Sequence, residues 1–150
     1  MDEASMIAEV WFPIKKDSDG YPKSRDSEGL RCEITDERSE VAEIQSVPFY
    51  LKEVAYGDII RIKRNSAGYR EFDRVERRSG CSVYRLLLHD MDRLNEVQDK
   101  LLDFGVYLER DDQLIAIAAP PDVDLDALVD YIIEGKRSGL WGSQDGYIAD

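Results

Sequence analysis

In the stretch WFPIKKDSDGYPKSRDSEGL, from Trp11 to Leu30, Asp17, Asp19 and Gly20 stand together with carboxylates on either side, as at the start of a calcium loop. An EF-hand loop needs oxygen ligands at alternate positions, a glycine at the sixth and a bidentate glutamate at the twelfth. With Asp17 first, Gly20 falls fourth, Tyr21 fifth and Glu28 twelfth, so the register fails. The stretch reads instead as a solvated turn leaving a strand, its exit stiffened by Pro22.

His89 is the only histidine, so any histidine base or metal site must use it. Cys81 lies eight residues earlier, about 26 Å away along a regular strand, which is too far for a dyad. Cys32 is left as a partner across the fold, but His89 and Asp90 are explained more simply as a polar strand end that starts a helix. The spacings CxxC, HExxH and HxxxH are absent, as are GxxxxGK[ST] and GxGxxG. Carboxylate pairs decide nothing among 32 acids. An enzyme would need one of them with a strongly raised pKa in a deep pocket. The sequence therefore assigns no catalytic residue, no metal and no cofactor.

The acids make a pattern of another kind. Asp92, Glu96, Asp99 and Asp103 recur at helical spacing, and Asp126, Asp130 and Glu134 recur every four residues. Two negative ridges follow, and like charges four apart cost a helix a few tenths of a kcal/mol. Residues 1 to 80 carry a net charge of -3 and residues 81 to 150 a net charge of -9, within a total of -12. That charge disfavours nucleic acid and anionic membrane as partners and favours a basic protein. The expected contact residues are Asp99, Asp103, Asp126, Asp130 and Glu134 on helices, Asp111 and Asp112 at a hairpin tip, and Trp141 as an aromatic anchor beside Tyr50 and Tyr56.

The elements that must position these residues follow from apolar periodicity. Short strands are expected at Ala8 to Phe12, Leu30 to Ile34, Val41 to Val47, Asp58 to Arg64 and Tyr69 to Arg78, with Gly57 supplying a positive φ. Together they suggest a small antiparallel barrel. Cys81 to His89 reads as a central strand. Leu94, Val97, Leu101 and Phe104 mark a helix from Asp92 closed by Gly105. A hairpin joins Val106 to Arg110 with Leu114 to Pro120; a second helix runs from Asp124 to Glu134 with Gly135 after it, and the tail GLWGSQDGYIAD supplies a last strand. The fold class is α+β: an antiparallel β-rich, barrel-like half (1–80) packed on a ferredoxin-like βαββαβ half (81–150) as one compact unit. Helices covering one sheet face leave the other for a partner or the neighbouring half.

The elements WFPI, DGYP, SEGL, VPFYLKEVAYGDIIRI and YRLLLHD resemble those of a bacterial domain family of unknown function, from about Val10 to Trp141. PFYLKEVAYGD is the most specific of them. The family pattern has an aromatic after the leucine of SEGL, where this chain has Arg31. The resemblance implies a fold more than an activity; its functional implication is association with small acidic immunity proteins that neutralise antibacterial toxins. With no basic n-region at the N-terminus and two cysteines that read as buried thiols, a cytoplasmic protein is expected, as monomer or weak dimer. The leading expectation is a non-catalytic module that binds a basic toxin domain. The alternative is a small-molecule-binding or self-associating regulatory domain.

Overall fold

The computed structural model describes residues 5–16 and 25–150; the stretch Asp17 to Gly20, read from the sequence as a turn, lies outside them. The fold is α+β. Five strands, β1 (Met6–Pro13), β2 (Ser27–Ile34), β3 (Val41–Ile44), β4 (Ile59–Arg64) and β5 (Arg70–Arg77), close a barrel in that order. Neighbours are antiparallel except at the seam, where Trp11 of β1 meets Glu71 of β5 in parallel. Register shifts at Ile59/Ile60 and Arg61/Ile62 mark irregularities of the bulge type, which add the local twist a small barrel needs to close.

Alternation fills the barrel. Glu28, Leu30, Cys32 and Ile34 point inward from β2 while Arg31 and Glu33 point out. They meet Val10 and Phe12 of β1, Ala42 and Ile44 of β3, and Ile60 and Ile62 of β4. Phe12 stacks on Phe72 with centroids 4.9 Å apart. Each fully buried Leu or Ile contributes about 2 kcal/mol by leaving water, so this core holds together without cross-links; both cysteines are free.

The second half forms a four-stranded antiparallel sheet with two helices. Its elements are β6 (Ser82–Leu88), a 3-10 turn (Met91–Arg93), α1 (Leu94–Asp103), β7 (Tyr107–Asp111), β8 (Leu114–Ala119), α2 (Leu125–Arg137) and β9 (Trp141–Asp145). The sheet order is β7-β8-β6-β9. Asp90 caps the 3-10 turn, accepting from Asp92 N at 3.0 Å, while α1 itself starts at Leu94, two residues later than expected, with no side-chain cap. Asp124 caps α2 by accepting from Ala127 N at 3.1 Å, and Gly105 follows α1 with φ +90°, as expected. Tyr84, Leu86 and Leu88 of β6, with Ile115 and Ile117 of β8, face Val97, Leu101, Leu128 and Ile132 of the helices.

Most boundaries differ from expectation by a residue or two; the ends of α2 and β3 differ by three, each for a packing reason. Gly135 does not end α2 but lies within it, because a Cβ there would meet the Trp141 indole at 2.0 Å. Gly139, at φ +79°, follows the true end. The strand at Val41 stops at Ile44 rather than Val47, because the chain beyond Gln45, whose N–H still reaches Arg31 O, leaves the barrel to run across the other sheet.

That departure joins the halves. Val47 and Ala55 of the β3–β4 connection pack with Cys81, Val83, Ala116 and Ala118, beside Phe49, Tyr56 and Tyr147. The alanines matter: small side chains on the barrel-facing side of β8 let the connection approach the sheet. Tyr56 then stacks on Tyr107 of β7 at 4.7 Å.

Candidate functional site

The connection from Val47 to Leu51 is gripped by three charged side chains from both halves. Glu28 of β2 accepts from Phe49 N at 2.8 Å and Tyr50 N at 3.1 Å. Arg85 of β6, 2% exposed, donates through Nη1 to the carbonyls of Pro48 (3.0 Å) and Leu51 (2.9 Å) and through Nε to Gln144 Oε1 (3.3 Å). Glu109 of β7 accepts from Val47 N and pairs with Arg31 at 2.7 Å. A fourth, fully buried Asp58, accepts from Ala55 N, Arg78 Nη1 and Ser79 N. Backbone groups that leave a sheet ladder must find partners elsewhere, and these side chains supply them. The PFYLKEVAYGD element is thus a structural joint.

Glu28 is also the acid whose pKa is raised, by burial, against the pull of the Phe49 and Tyr50 N–H groups and the charge of Arg85. Its oxygens are spent on those backbone donors, and it does not line the cleft described below. Burial pushes the Cys32 thiol up to about 12 and also raises Cys81. Cys32 belongs to the barrel core and Cys81 to the junction, while His89 Nδ1 lies 3.0 Å from Gly139 O at the exposed end of β6. Neither thiol forms a dyad with it. Among the described residues no three His, Cys, Asp or Glu side chains gather as metal ligands would.

The expected contact residues separate into three groups. Asp99 and Asp103 on α1, and Asp126, Asp130 and Glu134 on α2, are all exposed on the helix layer. Asp111 and Asp112 are exposed at the β7–β8 turn, where Asp112 takes φ +54°. None of these seven forms an ion pair among the described residues, whereas acids of the barrel repeatedly do: Glu37 with Arg70, Glu76 with Arg61, Glu53 with Lys15. On α1 the ridge is weaker than expected, since Glu96 is bound by Arg93 at 2.9 Å.

Trp141 must be withdrawn from the surface set. It is 1% exposed, donates from Nε1 to Ile132 O at 3.0 Å and sits edge-on to Tyr131 over the Gly135 notch. An indole that fills a core gap cannot also touch a partner. Of the other two expected anchors, Tyr56 is stacked on Tyr107, and Tyr50, half-buried under Arg25 at 4.7 Å from the ring centroid, lines an open cleft of about 490 Å³ with Arg85, Leu87, Asp111, Leu114 and Gly142. Sequence reasoning missed Arg85 and Leu87. The one available signal was an arginine in the middle of the apolar run CSVYRLLLH.

A family profile described as "Domain of unknown function (DUF4265)" matches residues 28–143. The chain belongs to the DUF4265 family. The matched span opens at Glu28, the first of the charges that hold the joint, and takes in Asp58, Arg85 and Glu109. Among solved structures, the chain is similar to a crystal structure of a hypothetical protein from Neisseria gonorrhoeae, at 13% identity and a TM-score of 0.73, covering 97% of each chain. At that identity the likeness concerns the fold alone. No curated protein matches. No helix among the described residues is long and apolar enough to cross a membrane.

Proposed function

We propose that this DUF4265 protein is a non-catalytic binding module that takes a basic protein partner on its acidic second half, in the manner of an immunity protein occluding a toxin. The observation that carries the reading is the set of seven exposed acids, Asp99, Asp103, Asp111, Asp112, Asp126, Asp130 and Glu134, that form no ion pair among the described residues, while acids in the barrel are repeatedly paired. Uncompensated charge of one sign raises the encounter rate with an oppositely charged surface, and the effect weakens with salt. The order β7-β8-β6-β9, with both helices on one face, supports the ferredoxin-like reading of this half. Free, buried thiols support a reducing, cytoplasmic setting.

The test is protection in cells. Where a neighbouring gene encodes a toxic product, coexpression of this chain should restore growth, and replacing Asp99, Asp103, Asp126, Asp130 and Glu134 with lysine should remove the protection while leaving the melting temperature close to wild type. Full protection by that variant sinks the surface assignment. One observation favours a second reading, a small-molecule-binding regulator: a cleft of about 490 Å³ falls within the usual range for ligand sites.

A further inference from the structure

The pairing registers place Asp111, Leu114, Leu87 and Gly142 in one row across all four strands, on the barrel-facing side of the sheet. The next row inward, Glu109, Ala116, Arg85 and Gln144, lies where the barrel connection docks, through the bonds of Glu109 and Arg85 to Val47, Pro48 and Leu51. The outer row is left open between Tyr50 and the hairpin tip. Leu87 is 48% exposed although it sits in central strand β6, where the other six residues are buried. Opposite it on β9, a Cβ built at Gly142 would meet no atom within 4 Å. Space and an apolar floor therefore coincide, in a concavity walled by an aromatic ring, as in interface pockets that receive an anchor side chain.

The charges around this floor select its occupant. Arg85 also lines the cleft but is buried, its Nη1 held by the Pro48 and Leu51 carbonyls, and Arg110 at the hairpin tip is bound to Asp112 O; the carboxylates of Asp111 and Asp112 stand exposed at the rim and form no ion pair among the described residues. We propose that the partner seats one apolar side chain over Leu87 and Gly142 and sets an adjoining lysine or arginine on Asp111 and Asp112. This rests on the binding-module reading and gives it the apolar anchor that Trp141 does not supply. The alternation of strand side chains makes an extended segment of apolar and basic residues the fitting chemistry.

The test uses the full chain, labelled with nitrogen-15, and a capped Leu-Lys-Leu-Lys peptide with Leu-Glu-Leu-Glu as its counterpart. The lysine peptide should shift amides of Leu87, Leu114, Gly142, Asp111 and Asp112, and the glutamate peptide should not. Gly142→Ile grows from an unobstructed Cβ into the open space, and Leu87→Asn removes the floor at a position already half exposed. Each should weaken binding about tenfold and keep a near-wild-type melting temperature. Shifts confined to the acids of α1 and α2 would overturn the cleft and leave the acidic-surface reading standing. No shift anywhere with the lysine peptide would overturn both. Undiminished binding by Gly142→Ile, or equal binding of the glutamate peptide, would overturn the proposed occupant.

Discussion

Replacing Gly135 by alanine should destabilise this protein, although the same change inside an ordinary exposed helix stabilises by about 1 kcal/mol. The reason is the Trp141 indole. A Cβ at position 135 would lie 2.0, 2.2 and 2.5 Å from three of its ring atoms, where ordinary contact begins near 3.4 Å. The ring has little room to retreat, because Nε1 is tied to Ile132 O at 3.0 Å and Tyr131 stands against its edge with centroids 5.4 Å apart. Overpacking of this kind costs about 1–3 kcal/mol, and rigid aromatic contact takes it to the upper end. Subtracting the gain in helix propensity leaves about 2 kcal/mol of net destabilisation. For a domain of this size that lowers the melting temperature by about 4–8 °C. Thermal unfolding followed by circular dichroism, with urea titration beside it, measures the change. In the background Trp141→Leu the alanine should cost nothing, a coupling of about 2–3 kcal/mol in the double-mutant cycle. A Gly135→Ala protein melting at or above wild type would refute the close approach and, with it, the account of why the helix runs through a glycine.

Glu28→Gln should cost about 1–3 kcal/mol in acid, since the amide turns an NH2 donor against one of Phe49 N and Tyr50 N, where both oxygens of a carboxyl group, protonated or not, can accept. Burial raises the Glu28 pKa in the folded state above its ordinary 4.5, so its contribution is fully present below that pH and is lost as pH rises through the raised value. The stability gap between wild type and Glu28→Gln, read from urea titrations across this range, should therefore be widest in acid and narrow as pH rises; a gap that widens contradicts the assignment. Thiol labelling gives a separate check. In the native protein Cys32, with its thiol pushed up to about 12 and buried in the barrel, should resist a disulfide reagent until denaturant is added. Rapid native labelling of Cys32 would place it outside the core.

How far the sequence foretold this structure depended on the range of the interaction. Local signals carried well: Leu30, Cys32 and Ile34 alternate as read, Gly57 takes φ +85°, and Asp124 caps α2. Tertiary demands did not show. Gly135 resembles a helix stop until Trp141, six residues later, is seen to need the space. Val47 continues an apolar strand pattern, yet its N–H is taken by Glu109, 62 residues away. Periodicity correctly turned the helix acids outward, but it could not separate a surface tryptophan from a buried one at a strand start. Nor could it show that Leu87 and Gly142 stand opposite each other, since that pairing depends on the register between β6 and β9.

Affinity capture is the direct test of whether the acidic second half binds a basic protein. The tagged chain, and its lysine-substituted counterpart at Asp99, Asp103, Asp126, Asp130 and Glu134, would each be exposed to lysate of the bacterium that carries the gene, then washed with rising salt before denaturant. One basic polypeptide should be recovered at near-stoichiometric ratio, released as salt rises and absent from the substituted chain. Recovery of nothing from cells shown to express the neighbouring genes, or equal recovery on both chains, would contradict that binding.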